Sequence, residues 1–129
     1  MKKWAVIAVV GLALLVAGCS SQPVNQITNL FRSKSEQTLA TGISQFEDGS
    51  YAESARSLQS ALDQGLPTDA DRVKAYKHLA FIHCVSKRPA QCQDSFRQAL
   101  KINPALELEP SEAGHPTWGP VFRAAKGRK

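Results

Sequence analysis

The sequence predicts an all-α fold, two helical hairpins followed by a C-terminal capping helix, and three observations carry that prediction. Helix start and stop signals follow one another from Ser33 onward. Between them, apolar residues recur at spacings of three and four, the period that lays one stripe along a helix. No segment alternates apolar and polar residues over a strand's length, so no sheet competes. A chain of 129 residues, 43% apolar and 21% charged, has room for one small domain and none for a two-domain enzyme.

The first element is an address. Met1, Lys2 and Lys3 precede an uncharged run, WAVIAVVGLALLVAG, that ends before Cys19. A charged start, an apolar run and small residues at its end read as a secretory signal over residues 1–18. The run is too short for a spanning helix, which needs about 20 apolar residues. Val16-Ala17-Gly18-Cys19 resembles the lipobox of bacterial lipoproteins. That resemblance implies cleavage before Cys19, lipid on its thiol, acylation of the new amine and attachment to a membrane. Ser20 stands where an aspartate would, by the same resemblance, hold the protein at the inner membrane, so the periplasmic face of the outer membrane is expected. Residues 19–34 then serve as lipidation site and tether, with Ile27, Leu30 and Phe31 able to dock on the domain.

Four helices are predicted over about 34–48, 51–64, 70–86 and 89–102. Ser33 with Glu36, Ser50 with Glu53 and Thr68 with Asp71 have the spacing of capping boxes. Gly49, Gly65 and Pro67 punctuate the first two helices, Pro89 suits the first turn of the fourth, and Pro104 lies beyond its end. The two hairpins align with a shift of 38 residues, Gly42, Gly49, Tyr51, Ser54, Leu58 and Ala61 matching Ala80, Lys87, Pro89, Cys92, Phe96 and Ala99. A small residue at each close crossing, with a large apolar one a turn away, is what paired helices demand. This pattern resembles the tetratricopeptide repeat, more closely in the second hairpin than in the first, where Thr38 and Gln45 are polar. The domain is expected over residues 35–106.

Two such repeats leave an apolar face uncovered, so a cap is required. Residues 107–129 supply it, with Trp118, Val121, Phe122 and Ala125 on one face of a short helix beginning near Thr117. Trp118 and Phe122 are either the core side of that cap or a recognition patch. The cysteines bracketing the second turn, the SFRQALKINP run and the SEAGHPTWGPVF stretch together resemble small tetratricopeptide lipoproteins encoded alongside bacterial type VI secretion systems. The resemblance implies an accessory scaffold anchored to the outer membrane, with envelope or secretion-system proteins as partners. A pilotin-like or general envelope-assembly lipoprotein is the alternative.

With Cys19 assigned to lipid, Cys84 and Cys92 remain as an even pair. Seven residues separate them, enough for a turn, and a disulfide is expected. Two buried thiols are the other reading, because helical register sets Cys84 a turn past the closest crossing. His78 and His83 are five residues apart on one helix and do not share a face, so no metal site is expected. His83, on a core stripe, reads as a hydrogen-bonded packing histidine. No nucleophile elbow or phosphate-cradling loop is present, and neither catalysis, a cofactor nor a small-molecule substrate is expected. The net charge of +5 lies partly in the signal and does not argue for nucleic acid. By the repeat resemblance, Ile43, Phe46, Lys74, Lys77 and Phe81 line the concave face as candidate partner-binding residues. Lys74 and Lys77 share a helical face and would suit an acidic segment, or form a solvated basic face.

Overall fold

The computed structural model describes residues 32–127, which form six helices: α1 (Lys34–Glu47), α2 (Tyr51–Gln64), α3 (Asp69–Val85), α4 (Pro89–Ile102), α5 (Pro110–Ala113) and α6 (Gly119–Gly127). There is no strand among the described residues, and the chain is all-α. The signal over residues 1–18, Cys19 and the tether as far as Phe31 lie outside the described residues. The four long helices begin and end within one residue of their predicted bounds.

Local chemistry explains most of those bounds. Ser33 and Glu36 form a reciprocal capping box, the Ser33 Oγ accepting from the Glu36 amide at 3.3 Å and a Glu36 oxygen accepting from the Ser33 amide at 2.8 Å. Thr68 Oγ1 likewise accepts from the Asp71 amide at 3.1 Å. Ser50 departs from the expectation: its side chain makes no capping bond, and Glu53 pairs with Arg56 instead. The Ser50 amide closes the preceding turn by donating to the Gln45 carbonyl at 2.8 Å, which sets its backbone away from a capping geometry.

The two hairpin turns repeat each other bond for bond. Ser50 to Gln45 and Gly49 to Phe46 in the first are matched by Arg88 to His83 and Lys87 to Cys84 in the second. Such six-to-one closures need a left-handed residue just past the helix. Gly49 supplies it at φ 79°, and Lys87 does so at φ 60°, where a side chain is strained.

Four of the six positions that the 38-residue shift equates are buried in both hairpins, while the turn positions Gly49 with Lys87 and Tyr51 with Pro89 are exposed. Ser54, Leu58 and Ala61 are fully enclosed in the first, and Ala80, Cys92, Phe96 and Ala99 in the second. A side chain at Gly42 would meet Leu58 at 2.9 Å, so the glycine admits that leucine. Ser54 Oγ donates to the Gly42 carbonyl at 2.6 Å across the same crossing. Around Leu39, Leu58, Leu66, Leu79 and Ile82 lies one apolar cluster, and around Phe81, Phe96, Leu108 and Phe122 lies a second. Phe46 touches both. Gln45, polar at the hairpin crossing, accepts a hydrogen bond from Ser57 Oγ at 2.7 Å.

The cap starts two residues later than expected, α6 beginning at Gly119, with the Phe122 amide donating back to the Trp118 carbonyl at 2.9 Å. It packs on α4 through Phe122 against Phe96, ring centres 5.2 Å apart. Gly119 is required by proximity: a β-carbon there would stand 2.6 Å from the Ala113 carbonyl oxygen at the end of α5.

Candidate functional site

The first helix of each hairpin, α1 and α3, carries the candidate partner-binding residues, and the structure divides them. Ile43 and Lys74 line an open cleft of about 310 Å³ between α1 and α3. Its floor is Leu39, Ala40 and Ile43, with Ser44 beside them; its charged rim is Arg32, Glu36, Glu47, Asp71 and Lys74. Phe46 is half-buried, set against Tyr51, His78 and Phe81 at ring distances of 5.5, 5.3 and 6.0 Å.

Lys77 and Phe81 are engaged by the C-terminal segment. Lys77 Nζ donates to both oxygens of Glu112, at 2.9 and 3.1 Å, with only 16% and 20% of the two side chains exposed. The paired basic face read from Lys74 and Lys77 is therefore broken, since one of its two charges is neutralised from within the chain. Phe81 is 1% exposed and has Trp118 stacked on it at 4.4 Å. A folded partner could not reach Phe81 without first displacing that indole.

Trp118 and Phe122 stand on the core side of the cap. The indole is half-buried, lies between Phe81 and His115, and donates from Nε1 to the Glu112 carbonyl at 2.9 Å. Phe122 is 4% exposed. As an exposed recognition patch the two residues are corrected: their rings are spent on closing the second apolar cluster. Glu112 is the residue that sequence reasoning passed over. It holds Lys77 with its side chain and Trp118 with its backbone, and its separation of 35 positions from Lys77 left no local signal.

Cys84 and Cys92 lie at disulfide-bonding distance with their α-carbons 5.1 Å apart, inside the span that a bridge tolerates. The left-handed turn at Lys87 brings the last turn of α3 back over the first turn of α4, which the helical register alone did not foresee. His83 is also corrected. Its Nδ1 is buried without a hydrogen-bond partner, and burial, with Arg88 adding to it, pushes the imidazole below its ordinary value. His78 is likewise held down, chiefly by burial, although its Nδ1 donates to the Lys74 carbonyl at 2.8 Å. At the start of α1, the hydrogen bonds from Ser33 lower the Glu36 carboxyl.

Among the described residues no cluster of three or more His, Cys, Asp or Glu side chains could hold a metal, and no helix is long and apolar enough to cross a membrane. No family model matches the chain, and no curated protein or solved structure does either.

Proposed function

We propose that the protein is a periplasmic scaffold held by lipid on Cys19 at the outer membrane, where it binds other envelope proteins as an accessory component of a type VI secretion system. The observation that carries the reading is the pairing of Cys84 with Cys92. It marks a chain suited to an oxidising compartment and leaves Cys19, in its lipobox setting, as the one cysteine available for acylation. Two or three acyl chains on one residue, each buried methylene adding about 0.8 kcal/mol, suffice for stable anchoring. The helical hairpins and their tetratricopeptide-like register supply the binding module, and the open cleft between α1 and α3, which Ile43 and Lys74 line, is its candidate surface.

Two measurements test the proposal. Metabolic labelling with a clickable palmitate should mark the wild-type protein and leave Cys19→Ser unmarked in the soluble or unprocessed fraction; unchanged acylation and membrane retention of the variant would refute the lipid assignment. Purification from crosslinked envelopes should recover membrane-complex proteins of the secretion machine. Recovery of secretin subunits in their place would replace this function with a pilotin-like one.

A further inference from the structure

We infer that the partner segment entering the cleft between α1 and α3 is apolar and carries a basic residue, the reverse of the acidic segment that Lys74 and Lys77 suggest in the sequence. The inference rests on the scaffold reading and gives its partner a chemistry. Folding changes the charge of this face in two ways. Lys77 is withdrawn into its pair with Glu112, leaving Lys74 and Arg32 as the cations of the cleft. Three carboxylates, Glu36, Glu47 and Asp71, converge on the same cleft from both helices, so negative charge outnumbers positive there.

The position of Glu47 adds an independent reason. It is the last residue of α1, followed at once by Asp48, and the last turn of that helix contains no basic residue. A helix ends in carbonyls that carry partial negative charge, and anions at this pole are unfavourable unless a cation relieves them. Glu47 has no ion pair among the described residues, whereas Glu36 and Asp71 are each held by a capping hydroxyl. A lysine or arginine from a partner would answer both Glu47 and the helix end. An acidic side chain would meet like charge from both. The floor formed by Leu39, Ala40 and Ile43 takes the apolar side chain beside it.

Two short synthetic peptides provide the probe, sharing one leucine and alanine pattern and differing only in lysines against glutamates at the same positions. They are titrated into the chain from residue 19 onward carrying Cys19→Ser, with affinity read by fluorescence anisotropy and location by the methyl signals of Leu39 and Ile43. The lysine peptide should bind at least about tenfold tighter at low salt, a margin that narrows as salt screens it. Glu47→Lys should abolish the preference and Lys74→Glu should widen it; both positions are exposed, so neither change threatens the fold. The inference is overturned if the glutamate peptide binds as well, if the preference survives Glu47→Lys, or if neither peptide moves the two methyl signals. In that last case, envelope partners still recovered by crosslinking would leave the scaffold reading standing, and none recovered would remove it as well.

Discussion

Reducing the Cys84–Cys92 pair should lower the stability of the domain by an amount that its ring size sets. The two cysteines are separated by 8 in sequence, and the loop-entropy model assigns such a ring about 2.5 kcal/mol at room temperature. For a domain of this size each kcal/mol shifts the melting temperature by about 4–8 °C, so the reduced form should melt about 10–20 °C below the oxidised one. Reduction is a cleaner perturbation than substitution. Both sulfurs are enclosed, Cys92 wholly, and replacing them with alanine would add a packing loss beside Phe96 and Phe81 to the loss of the ring. The assay is thermal unfolding by circular dichroism with and without a phosphine reductant, with intact mass after alkylation counting the thiols. Enclosure also predicts slow reduction under native conditions, because the reductant must wait for α3 and α4 to part. Melting temperatures within about 3 °C of each other would refute the ring argument. So would two readily alkylated thiols in the denatured, unreduced chain.

Three further outcomes follow from single observations. Lys87→Gly should stabilise the protein by about 1 kcal/mol, seen as a raised denaturant midpoint with unchanged slope, because Lys87 holds a left-handed conformation at φ 60° while Gly49 fills the same place in the first turn. Gly119→Ala should destabilise by about 1–3 kcal/mol, since its β-carbon would collide with the fixed Ala113 carbonyl; an unaltered midpoint would show that α5 and α6 can separate freely. Acid should weaken the fold through His78 and His83. Both are held below the ordinary histidine value, so the unfolded chain takes up protons first, and stability present above about pH 6.5 is lost as the pH falls toward the lowered folded-state values. Denaturant midpoints measured across this window for the wild type and a His78→Gln/His83→Gln variant should diverge on the acid side, the variant showing the flatter profile.

The helices were legible because their signals are local. Ser33 with Glu36 and Thr68 with Asp71 satisfy the first amides of α1 and α3 within one turn, and Pro89 begins α4, so these elements need no distant partner to declare themselves. The hairpin register was legible for a related reason: close crossings exclude large side chains, and that exclusion leaves Gly42 and Ser54 at one crossing, and Ala80 and Cys92 at the other, in the sequence itself. Ser50 marks the limit of such reading. It has the right residue type and spacing for a cap, yet a turn closed from Gln45 claims its backbone first.

By itself, then, the sequence determined an all-α chain, the places where its helices start and stop, and the 38-residue correspondence of its hairpins, because each depends on contacts within a few residues or on steric exclusion at one position. Tertiary structure alone decided which candidate residues remain open to a partner. Lys77 and Phe81 carry the pattern of a helix face turned to solvent, and only the return of Glu112 and Trp118 from far along the chain covers them. The sign of the remaining cleft was decided in the same way. Glu36 and Glu47 come from one helix and Asp71 from another, and charges from separate helices sum to a field only after packing has set them around a common space.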